Sequence, residues 1–142
     1  MTDGKEGNSM SDFSDEQVNA VWLKGRTVDG LDASKYRLDD DGAMMIRGCY
    51  GEKGMYGWEI DHIFPKAKLK EMGVNEDRWD IPLNLRPLNA KNNASKGDDY
   101  PNYKVTYVYN SQRRVNQEVS VGGAVGKGCQ LVLAVLLGIE YT

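Results

Sequence analysis

Three short stretches decide the reading of this chain: WEIDHIFPKA at residues 58–67, NLRPL at 84–88 and NNASKG at 92–97. The first extends a segment, 56–63 (YGWEIDHI), whose alternation reads as a strand stopped by Pro65. The second is short and extended, and Pro87 restricts it to a sheet edge or a strand end. The third belongs to a short helix over 89–96, closed by Gly97. In a strict strand Asp61 and His62 would point to opposite faces. Both serve one site only if the pair lies at a strand end or bend, which Pro65 predicts. Strand, connection, strand and helix form the minimum path that returns a helical Asn to Asp61 and His62.

The residue types suit hydrolytic chemistry. His62 is the only histidine in the chain, and imidazole is the one side chain whose ordinary pKa makes it a general base near neutrality. Asp61 is a hard oxygen donor, and an Asn carbonyl can join it around Mg2+ or Mn2+. Asn92 and Asn93 also read as helix caps. Glu59 is expected to face away from the site. One histidine excludes a three-histidine zinc site and an H-E-x-x-H helix. Cys49 and Cys129 are too few for a four-cysteine zinc site.

Outward from the motif, the N-terminal side begins with a polar stretch, 1–13, that reads as a flexible acidic tail. Ser14 and Gln17 form a capping box opening a helix over 15–24 that places Val18, Val21 and Trp22 on one face. Residues 29–42 are turn-rich, 43–47 (AMMIR) read as a strand, and 66–72 as two helical turns ended by Gly73. On the C-terminal side, 103–109 (YKVTYVY) and 115–121 (VNQEVSV) alternate and predict a hairpin. Residues 122–128 read as a flexible break, and 129–139 (CQLVLAVLLGI) as a buried helix or strand, which periodicity does not separate. That run is about half of the ~20 residues that span a bilayer, so no membrane partner and a cytoplasmic location are expected. GGAVGKG fails the phosphate-loop pattern, because Gly128 stands where Ser or Thr is needed. Trp58 and Trp79 read as core aromatics.

The 142 residues carry a net charge of −3. Residues 1–16 hold −4 of it, leaving the other 126 at +1 (−3 less −4), while 61–97 hold seven Lys or Arg against five Asp or Glu. A mildly basic centre suits a phosphate-bearing partner. Lys66, Lys68 and Lys70 beside the motif, and Arg113 and Arg114 at the hairpin tip, are candidate backbone contacts.

The three stretches, in this order, resemble the motif of the HNH endonucleases: a D-H pair followed by I-x-P, then N-L-x-x-L, then N-x-x-K. The resemblance covers residues 56–97, and more weakly the segment before them. It implies an α+β fold, with a ββα-metal motif in one domain over 14–142 and the C-terminal hairpin and apolar segment over 101–142. It implies Asp61 and Asn93 as metal ligands, His62 as general base, Asn84 as the residue pinning the connecting loop and orienting the base, and Lys96 as a contact to phosphate or product. Many relatives carry a second helical histidine and zinc-binding CxxC pairs. Here both are missing, which favours one Mg2+ or Mn2+ in an oxygen shell. The implied function is metal-dependent hydrolysis of DNA, RNA being a lesser substrate. The rival reading is a catalytically silent nucleic-acid-binding module. A homodimer formed through the apolar C-terminus is a further expectation, since cutting both strands from one site needs two copies.

Overall fold

The computed structural model describes residues 13–140, so the predicted tail falls almost wholly outside them. The described chain is a small α+β domain with four α-helices and three two-stranded antiparallel sheets. Helix α1 (Asp15–Trp22) is held at its start by the capping box: Gln17 N donates to Ser14 Oγ at 3.1 Å, and Ser14 N donates to Gln17 Oε1 at 2.9 Å. Phe13 does not belong to a tail. It packs against the core under α1, and its ring centroid lies 6.0 Å from that of His62.

Strands β1 (Tyr36–Leu38) and β2 (Met44–Ile46) form a small hairpin. β1 falls inside the stretch read from sequence as turns only, because its three half-buried residues are too few for a period of two to register. Strand β3 (Trp58–His62) pairs with β4 (Leu85–Asn89), setting Asp61 opposite Arg86 and His62 opposite Leu85. Pro87 is tolerated because this sheet has only two strands, so every strand has a free edge. Between them run α2 (Lys66–Glu71) and two 3-10 turns.

Helix α3 (Ala90–Lys96) follows β4 directly and packs on β3, β4 and β5 (Asn102–Asn110). Its cap is Asn89, whose Oδ1 accepts from Lys91 N at 2.9 Å and Asn92 N at 3.4 Å. Asn92 is fully buried. Its Oδ1 accepts from Thr106 N and Tyr107 N, both at 2.8 Å, at the register shift of β5. The long hairpin partner, β6 (Val115–Ala124), runs through the segment read as a flexible break. Gly123 is there because a Cβ would stand 2.8 Å from the side chains of Tyr103 and Val105. The apolar run is helical, α4 (Lys127–Leu137), with Leu133, Ala134 and Leu137 buried.

Two apolar clusters flank the β3–β4 ribbon. One joins α1 to Met45, Trp58, Ile60 and Leu85, with Trp22 and Trp58 ring centroids 5.2 Å apart. The other joins Ile63, Phe64 and Leu69 to the hairpin and α4, with Trp79 packed against it. Such burial is worth roughly 1.5–3 kcal/mol per large side chain. No helix among the described residues is long and apolar enough to cross a membrane.

A buried carboxylate ties the first hairpin to α3. Asp39 accepts from Asp41 N and Ala43 N with Oδ1, and from Asn89 N and Asn92 Nδ2 with Oδ2. Burial pushes this carboxyl up to about 6, while the donors around it pull the other way. At neutral pH it is ionised and every partner is a donor. Replacing it as Asp39→Asn turns an amide NH2 toward two of those donors. The substitution is expected to lower unfolding free energy by about 2–4 kcal/mol in urea titration at neutral pH. The difference should widen on acidification: a carboxyl with a raised native pKa favours folding below its unfolded value and loses that contribution as pH rises through about 6, whereas the amide does not titrate.

Candidate active site

The end of β3, the start of α2 and the last turn of α3 enclose an open cavity of about 220 Å³, lined by Asp61, His62, Lys66, Asn93, Gly97 and Asp98. Asp61 and His62 are the final two residues of β3, so the strand-end placement expected from Pro65 is what brings both to one cavity. Gly97 ends α3 at φ 53°, a conformation that disfavours a side chain, and turns the chain at the cavity rim.

Asp61 is buried and carries two cations. Arg86 Nε donates to its Oδ2 at 2.9 Å, and Lys96 Nζ to its Oδ1 at 3.3 Å. Arg86 arrives from the paired strand and reaches on to Asp40 at 3.2 Å. Lys96 was expected at phosphate or product. It is instead 1% exposed, and its second contact is the carbonyl of His62 at 3.3 Å. Burial lowers the Lys96 pKa, and Asp61 pulls it back.

His62 is nearly as enclosed, and its Nε2 lies 2.5 Å from Asp80 Oδ1. Burial lowers its pKa below the ordinary imidazole value, against the hydrogen bond and charge of Asp80. The neutral form suited to a base is thus the dominant one at pH 7. Asp80 carried no signal in the sequence: it stands in a polar connection, eighteen residues from His62.

Asn84 sits where its expected role puts it. Fully buried, it accepts from Phe64 N at 2.7 Å and donates to Phe64 O at 3.2 Å and Trp79 O at 3.0 Å. Both ends of the β3–β4 connection are thereby pinned.

Asn93, one residue from the wholly structural Asn92, faces the cavity. Its Nδ2 donates to Glu59 Oε1 at 2.7 Å. Glu59 therefore does not face away as expected: it holds the Asn93 amide, and Lys53 pairs with its other oxygen. This fixes the amide orientation and leaves Asn93 Oδ1 without a hydrogen bond among the described residues. No group of three or more His, Cys, Asp or Glu arranged for a metal exists among the described residues. The donors that fit a hard cation are the amide oxygen of Asn93 and the carboxylate of Asp61, on two residues that line one cavity.

No protein-family model matches the chain, and no curated protein or solved structure is significantly similar to it.

The geometry separates residues that hold the scaffold from residues that only line the cavity. Truncating Asp61 leaves Arg86 and Lys96 buried without their shared counter-charge, whereas Asn93 is only half-buried with one amide contact. Asp61→Ala is expected to lower stability by about 3–5 kcal/mol, and Asn93→Ala by about 1 kcal/mol or less, both read by urea titration. Equal losses would contradict this division.

Proposed function

We propose that this chain is an endonuclease of the HNH type that hydrolyses phosphodiester bonds of DNA with a divalent metal, Mg2+ or Mn2+. The observation that supports the reading most is the meeting of Asp61, His62 and Asn93 around one cavity at a strand–strand–helix junction. These are the residues that the three sequence stretches single out.

Asp61 and Asn93 would hold the metal, which supplies charge neutralisation at a non-bridging oxygen and at the leaving 3′ oxygen. His62 takes a proton from the attacking water through an imidazole nitrogen, and its burial keeps that nitrogen unprotonated at neutral pH. Asn84 holds the β3–β4 connection and so the wall of the cavity beside the base. Lys96, with Arg86, aims Asp61 rather than touching phosphate. Glu59 orients Asn93. Lys66 at the rim would contact backbone phosphate. Double-strand cleavage from one site per chain requires two copies. The exposed apolar side chains of α4, Leu131, Val132, Val135 and Leu136, are where a second copy would pack, which light scattering would detect.

One observation favours the other reading, a silent nucleic-acid-binding module: both oxygens of Asp61 already carry cations. Digestion of supercoiled plasmid separates the two. In Mg2+ or Mn2+ the wild type should nick DNA, EDTA should abolish nicking, and His62→Ala should slow it by about 10²–10⁴-fold. The same assay on folded RNA ranks the substrates. Because the base acts unprotonated and its pKa is lowered, cleavage should rise with pH only below the ordinary histidine range and stay flat across neutrality. Binding without cleavage in any metal, or equal nicking by wild type and His62→Ala, would overturn the assignment.

A further inference from the structure

The β3–β4 connection holds a carboxylate that neither the sequence motif nor the proposed metal site uses. Asp80 is 49% exposed, yet its Oδ1 meets the Nε2 of the enclosed His62 at 2.5 Å. An exposed side chain usually has freedom to swing away, but this one is flanked by anchors. Trp79 and Ile81 on either side both pack against the core cluster of Phe64 and Leu69. Trp79 Nε1 donates to Val74 O at 2.9 Å, and the Trp79 carbonyl accepts from Asn84 Nδ2 at 3.0 Å. Asn84 in turn holds Phe64, two residues beyond His62. The two ends of the Asp80–His62 contact are therefore fixed to each other by a second, buried hydrogen-bond bridge.

We propose that Asp80 is the positioning residue of His62, holding the imidazole as its Nε2–H tautomer and leaving Nδ1 as the basic nitrogen. The chemistry follows from donor and acceptor roles. A carboxylate accepts and does not donate, so the ring nitrogen facing it must carry the hydrogen. A neutral imidazole has one N–H, so its lone pair lies on Nδ1. Nδ1 has no hydrogen bond to any described residue, and His62 is one of the residues that line the cavity. Phe13 stands against the ring, and the Lys96 ammonium holds the His62 carbonyl. Ring and backbone of the same residue are thus both restrained, by partners from three separate elements.

This inference rests on the nuclease reading for its purpose but not for its test. Because His62 is the only histidine, nitrogen-15 NMR of the full chain at slightly alkaline pH reports its tautomer without assignment ambiguity. The expected result is a single Nε2–H tautomer in the wild type, a mixture in Asp80→Ala, and restoration in Asp80→Glu. In the plasmid assay Asp80→Ala should lower kcat by about 10–100-fold with KM nearly unchanged. Asp80 lies at the surface, so the variant should fold, and an unchanged urea midpoint would verify that. An Nδ1–H tautomer in the wild type, or an unaltered single tautomer in Asp80→Ala, would overturn the inference. A wild type with the expected tautomer and no cleavage would overturn the nuclease reading alone.

Discussion

The carboxylate of Asp61 is the point on which the centre of this structure depends. It is 5% exposed and meets a guanidinium from β4 and an ammonium from α3, so a single side chain joins β3, β4 and α3. Burying one charge is costly, and burying three is tolerable only when each has partners. Arg86 meets that condition by bonding Asp61 and Asp40 and lying over the Tyr103 ring, 5.3 Å from its centroid. Lys96 meets it by bonding Asp61 and the His62 carbonyl. Register follows from the same constraint: Asp61 must lie opposite Arg86, and a slip of one residue in either strand would put the two on opposite faces of the ribbon.

Buried amides carry the rest of the scaffold. Asn84, Asn89, Asn92 and Asn116 are all nearly inaccessible, and each satisfies backbone groups that regular structure leaves unpaired. Asn89 caps α3 and reaches the carbonyls of Met44 and Met55, carbonyls that Asn116 also binds. Asn92 serves the irregular turn of β5. An amide both donates and accepts without charge, so it bridges loops at less desolvation cost than a carboxylate. The asparagine-rich stretch after β4 is therefore mostly architecture, and Asn93 is the member left facing the cavity.

Much of this was legible in the residues. The capping box at Ser14, the strand ending before Pro65, the helix closed by Gly97 and the hairpin beyond Tyr103 follow from local rules and are present. Ser14 and Gln17 act within one turn, and strand alternation repeats every two residues, so such signals survive in a linear reading. Contacts between distant segments left no comparable trace. Lys96 was expected at phosphate or product, and only the packing of α3 on β3 buries it. Glu59 looked outward-facing because alternation says nothing of a helix crossing above the strand. Asp80 sits in a connection with no periodicity at all. Gly123 read as part of a break because glycine signals freedom in sequence, whereas here it signals the closeness of Tyr103 and Val105.

Sequence alone determined the element types near the motif, the α+β class and the placement of Asp61 and His62 at a strand end. These depend on interactions within a few residues, where backbone geometry is nearly fixed by residue type. Tertiary structure decided which charges neutralise one another, which asparagines are scaffold, and which carboxylate meets the imidazole. Those outcomes depend on burial and on distances of a few ångströms between segments far apart in the chain. Electrostatic and hydrogen-bond energies change steeply over such distances, and no local pattern of residues encodes them.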